Sequence, residues 1–74
     1  MTRYFFDLLD GDSVIFDELG IELPSIEAAQ EEAARTLAEL VMEQTIGAHR
    51  LAIEIRDDDG PLMKALFTFE DRRG

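Results

Sequence analysis

The residues of this chain with the most potential for chemistry are a run of carboxylates before a glycine. The aspartates at 57–59 precede Gly60, and clustered carboxylates suit a hard cation such as Ca²⁺. An EF-hand loop with Gly60 at its sixth position needs an acidic first ligand and a glutamate at its twelfth position. Ile55 and Leu66 stand at those two positions. A hairpin turn is therefore the better interpretation, with weak cation binding as the remaining alternative.

The other candidates for catalysis are one histidine and two serines. A general base such as His49 needs a nucleophile and an orienting group within reach. A turn accounts for Ser13 and a helix cap accounts for Ser25, and the chain has no cysteine to act as a nucleophile or a thiolate ligand. We therefore expect no enzyme activity, no catalytic residue, no metal site and no cofactor.

The charge of the chain restricts its partners. Seventeen acidic residues against seven basic ones give a formal net charge of −10. Such a surface repels phosphates, so we expect no direct binding to nucleic acid. The charge either serves solubility or fits a basic site on a partner protein by imitating nucleic acid. A hydrophobic share of 46% favours a folded domain over disorder.

The longest element that the hydrophobic pattern predicts is an amphipathic helix from Ser25 to about Gly47. The Ser25 hydroxyl can cap the first turn, and Gly47 can adopt the left-handed conformation of a helix end. Arg35 lies four residues from both Glu31 and Glu39, which allows modest ion pairing. Apolar residues at helical spacing form one stripe: Ile26, Ala29, Ala33, Leu37, Leu40 and Val41.

Four segments read as strands from their alternation and turn signals, at residues 3–9, 14–17, 49–56 and 62–69. We predict an α+β fold, β-β-α-β-β, in which a four-stranded antiparallel sheet carries one long helix on one face. The strand order 2-1-3-4 is preferred to 1-2-4-3, because the aromatic first strand suits a central position and the short second strand an edge. Ile21 and Leu23, in the connection before the helix, are expected to tuck under it. The whole chain, 1–74, is expected to form one domain with a frayed tail at 70–74.

One helix covers only one face of such a sheet, so the other face is the candidate binding surface. Alternation places apolar side chains on it among the charged Asp7, Glu54, Arg56 and Lys64. Phe16 joins them if Ile15 points inward. The candidate interface residues are Phe5, Leu9, Phe16, Leu62 and Leu66. We predict a non-enzymatic module that forms a homodimer or binds a protein partner through this face.

Targeting signals are absent from the pattern of the chain. No apolar run is long enough to span a membrane, and the first residues lack the basic-then-apolar order of a signal peptide. We expect a cytoplasmic protein that does not bind membranes.

The motifs of the chain also point to a family. They are Arg3-Tyr4-Phe5-Phe6, Leu8, Asp10-Gly11, Asp17, Gly20, Glu22-Leu23-Pro24, Arg56-Asp57 and Asp59-Gly60. This pattern resembles a family of small bacterial domains of unknown function that is frequent in rhizobia. The resemblance implies the same fold and a bacterial setting, and it brings no activity or cofactor. The resemblance also implies polar residues at the positions of Asp7, Leu9 and Phe16; Leu9 and Phe16 depart from this, so the second face is expected to be more apolar here.

Overall fold

The sheet and helix follow the order that the sequence predicts, with one additional short strand. The computed structural model describes residues 1–43 and 50–68. Its elements are β1 (Thr2–Asp10), β2 (Ser13–Ile15), β3 (Ile21–Leu23), α1 (Ile26–Glu43), β4 (Arg50–Asp57) and β5 (Gly60–Thr68). The strands form one antiparallel sheet in the order β2-β1-β4-β5, and β3 pairs with the start of β1. The α+β class and the preferred strand order are confirmed.

The additional strand β3 occupies the predicted connection before the helix. It pairs with β1 so that Leu23 lies opposite Thr2 and Ile21 lies opposite Tyr4. Leu23 packs against the core, as expected. The expectation for Ile21 is wrong, because this side chain is 42% exposed at the edge of the sheet.

The start of α1 is fixed by the cap that its sequence predicts. The Ala28 amide donates to Ser25 Oγ and the Ala29 amide donates to the Ser25 carbonyl, both at 3.2 Å. Arg35 pairs with Glu32, one turn earlier, at 2.6 Å and not with Glu31 or Glu39. Three features predicted from the sequence lie outside the described residues: the helix end at Gly47, the histidine His49 and the tail at 70–74.

The core lies between α1 and one face of the sheet. Ala29 and Ala33 are fully buried, so the first half of the helix lies close to the strands beneath it. The remaining buried members of the cluster come from the predicted helix-facing positions: Tyr4, Leu37, Leu51, Ile53 and Ile55. The alternation assigned to β1 and β4 is thereby confirmed. Among the described residues, no helix combines the length and the apolar character needed to cross a membrane.

Two tight turns close the hairpins. Gly11 has a φ of +60° and Asp12 does not have a positive φ, which is the pattern of a type II′ turn. At the second turn the Asp59 amide donates to Asp57 Oδ1 at 2.8 Å, so these aspartates serve a hairpin. The register then shifts, because Arg56 lies opposite Pro61 and Ile55 lies opposite Met63. The intervening residue of β5 forms a β-bulge.

Candidate protein-binding face

The second face of the sheet, away from α1, is organised in rows across the strands. The rows are Phe5-Arg56-Pro61, Asp7-Glu54-Lys64 and Leu9-Ala52-Leu66. Val14 of β2 extends the third row, because it lies opposite Leu9. We call Val14, Leu9, Ala52 and Leu66 the apolar row. The chain from residue 16 to residue 20 connects β2 to β3 alongside β1, on the side of the face that holds the first two rows.

A buried ion pair occupies that side. The Asp7 side chain is only 3% exposed. Arg56 donates from Nε to Asp7 Oδ2 at 2.7 Å and from Nη2 to Oδ1 at 3.4 Å, and the Asp17 amide donates to Oδ1 at 2.9 Å. The Asp7 hydrogen bond raises the pKa of Arg56 above its ordinary value, so the guanidinium stays charged. These contacts offset the repulsion between Asp7 and Glu54, which lie directly opposite each other.

Asp17 connects the segment from residue 16 to residue 20 to the Asp7–Arg56 ion pair. Its carboxylate accepts the Phe6 amide at Oδ2 and the Leu19 and Gly20 amides at Oδ1, all at 3.1 Å. Its carbonyl accepts Arg56 Nη2 at 3.0 Å. Burial raises the pKa of Asp17. The three amide hydrogen bonds and the charge of Arg56 lower the pKa by more, so it lies below its ordinary value of 3.8. We call Asp7, Asp17 and Arg56 the clasp.

The clasp also engages Phe5, one of the five candidate interface residues. The Arg56 guanidinium lies 4.5 Å from the centroid of the Phe5 ring, a cation–π contact. Gly20 lies next to the Phe5 ring and has a φ of +71°. A Cβ at this position would lie 2.9 Å from Phe5 Cε1 and 2.9 Å from the Tyr4 carbonyl oxygen. Phe5 is therefore half-buried inside the molecule, and the open part of the second face begins beyond it.

The register brings two other candidates together. Leu9 and Leu66 lie on either side of Ala52, and the side chain of Leu66 is 55% exposed. These three residues line a shallow concavity of about 330 Å³ whose lining also includes Asp12, Arg50 and Lys64. Two candidates thus share one apolar surface with charges of both signs at its margin.

The remaining two candidates lie outside the row. Phe16 follows β2 and is 67% exposed, while Ile15 lies opposite Leu8 on the helix-facing side. Leu62 is the bulge residue of β5 and is exposed. Sequence reasoning missed Val14, although the two-residue turn at Gly11 sets the register that pairs it with Leu9.

The acidic groups of the described chain do not converge on a metal site. Among residues 1–43 and 50–68, no three His, Asp or Glu side chains are placed to hold one ion. The carboxylates of the clasp accept hydrogen bonds from Arg56 and from backbone amides. Their arrangement holds a loop on a sheet.

Comparison with known proteins places this sequence in a family. A family model described as a domain of unknown function (DUF6894) matches residues 3–68. Neither the comparison with curated proteins nor that with solved structures gives a match.

Proposed function

We propose, for a chain that belongs to this DUF6894 family of unknown function, a non-enzymatic role in binding protein through the apolar row. The bound protein is a second copy of the chain or a separate partner. We further propose that the protein works in the bacterial cytoplasm, in keeping with the absence of cysteine and with the family resemblance.

The observation that carries the proposal is the exposure of apolar side chains on a strongly acidic chain. Leu66 and Val14 are 55% and 45% exposed at the two ends of the row. On the neighbouring part of the same face, the clasp holds Asp7 and Arg56 in internal contacts, whereas the row leaves its apolar ends exposed. An apolar strip with a charged rim is typical of a surface that another protein covers.

The test places a charge in the row. Val14→Lys is expected to weaken association tenfold or more, because binding would bury an ammonium group among apolar side chains. The matched control is Ile15→Lys, which adds the same charge on the next residue of β2 but on the opposite face, where Ile15 is 61% exposed. Sedimentation velocity measures self-association, and capture from a bacterial lysate measures partner binding.

Two results would contradict the proposal. One is a Val14→Lys protein that self-associates and captures partners as the wild type does. The other is an equal loss in Ile15→Lys, which would assign binding to the opposite face. Far-ultraviolet circular dichroism of both variants verifies that the fold is retained.

A second candidate function uses the acidic surface of α1 to occupy a basic site on a nucleic-acid-binding protein. The observation that favours it is the row of exposed glutamates on this helix: Glu27, Glu31, Glu39 and Glu43. Binding of this kind weakens steeply as salt rises from about 50 to about 500 mM, whereas binding through the apolar row does not. Repeating the capture across that range separates the two functions.

A further inference from the structure

The strand at the centre of the apolar row carries charges that fit a second copy of the same surface. On the second face, β4 presents Arg50, Ala52 and Glu54 in succession, since alternate residues of a strand share a face. Ala52 belongs to the row, so one cation and one anion lie at equal distances on its two sides. This arrangement becomes self-complementary when two copies stack with their strands antiparallel.

These charges are available for an outside contact. Within residues 1–43 and 50–68, Arg50, Glu54 and Lys64 make no ion pair, although Glu54 and Lys64 lie opposite each other. The clasp, in contrast, satisfies Asp7 and Arg56 internally. The open part of the second face thus combines an apolar strip with unused charges of both signs.

From this pattern we infer that a second copy of the chain binds face to face on the apolar row, with Arg50 of each copy against Glu54 of the other. The inference rests on the proposed function and specifies its partner. The two-fold axis runs along the row, between the sheets and across the strands. Leu9 and Leu66 then meet the same residues of the second copy, and both Arg50–Glu54 pairs form at once.

Charge and area set the strength of this dimer. Balanced charges beside the row avoid the repulsion that a net charge of −10 brings elsewhere on the surface. The proposed contact is four strands wide, about 19 Å, and as long as residues 50–54 of β4, about 13 Å, which gives about 250 Å² of projected area per copy. A standard interface buries about 800 Å² per partner, so the dimer is weak and depends on concentration.

The test uses two charge-reversal variants, each of which is expected to lose dimerisation alone and to regain it when the two are mixed. Arg50→Glu places two anions face to face at each pair, and Glu54→Arg places two cations there, so each variant is expected to dimerise at least tenfold more weakly than the wild type. When the two variants are mixed, position 50 of each copy again faces an opposite charge at position 54 of the other, and dimerisation should return. Sedimentation velocity at a series of concentrations measures all three samples.

The control is Glu31→Arg, which makes the same reversal on the exposed surface of α1 and should dimerise as the wild type does. A mixture that stays monomeric, or single variants that dimerise normally, would overturn the pairing of Arg50 with Glu54. A monomeric wild type would overturn the second copy as the partner. The wider proposed function is then decided separately by lysate capture with Val14→Lys and Ile15→Lys.

Discussion

Asp7 is the residue that most clearly links the stability of this domain to the shape of the second face of its sheet. A buried carboxylate is tolerated only when ion pairing and hydrogen bonds replace its lost hydration. Asp7 obtains these from Arg56 and from the Asp17 amide. The same ion pair binds the backbone of Asp17, so it also holds the segment from 16 to 20 against the second face beside β1.

Replacing Asp7 with alanine should destabilise the fold by about 2–3 kcal/mol, because Arg56 and the Asp17 amide lose their acceptor. Urea denaturation measures the change. The control is Asp10→Ala at the exposed end of the same strand, for which we expect a change within about 0.5 kcal/mol. Equal effects of the two substitutions would show that the ion pair contributes nothing specific.

Asp17 should make the stability of the domain depend on pH in the acidic range. Its pKa in the folded protein is lowered, so its carboxylate contributes stability that is complete above the ordinary value of 3.8 and is lost as pH falls through the folded value. Asp17→Asn removes this titration, and the free energy of unfolding of the variant should fall less steeply below about pH 4. Urea denaturation at a series of pH values tests this, with Asp12→Asn as the exposed control. An unchanged slope in Asp17→Asn would contradict the role of this carboxylate.

At the scale of elements, the segment from 16 to 20, which connects β2 to β3, packs against β1 only with glycine as its last residue. Gly20 combines a φ of +71° with a site where a Cβ would lie 2.9 Å from the Tyr4 carbonyl oxygen. Gly11 has a similar φ of +60° but has no atom within 4 Å of such a Cβ. Alanine substitutions at Gly11 and Gly20 therefore separate the free-energy cost of the backbone conformation from that of steric overlap.

Gly20→Ala should destabilise the fold by about 3 kcal/mol or more, and Gly11→Ala by about 1–2 kcal/mol, since both place alanine at a positive φ but only the first also creates an overlap. Thermal unfolding monitored by circular dichroism compares them. Similar thermal midpoints for the two variants would show that the segment from 16 to 20 can move away from β1 at little cost in free energy.

The elements also show which parts of the fold can be predicted from sequence. Strand alternation predicts the two faces because the period of two is strong over the long strands β1 and β4. The strand β3 is too short for such a signal. The clasp cannot be predicted in this way, because the hydrogen bonds that join Asp7, Asp17 and Arg56 to one another link residues 10 to 49 positions apart. Phe5 accordingly packs against the clasp, whereas Leu9 and Leu66 lie in the apolar row.

At the scale of the whole molecule, the domain has two surfaces of opposite character. The outer side of α1 is acidic, and the second face of the sheet carries an apolar row with Arg50 and Glu54 beside it. A chain with a net charge of −10 should stay apart from its own copies over most of its surface. The association that we propose is therefore directed to the row, where charges balance and apolar side chains are exposed.

The solution mass of the unmodified protein tests this most directly, by light scattering at protein concentrations from about 10 to about 500 µM. We predict a mass that rises from monomer toward dimer with concentration and does so at both about 50 and about 500 mM salt, because apolar contact supplies most of the affinity. A monomer throughout that range, at either salt concentration, would contradict the claim that the row binds a second copy.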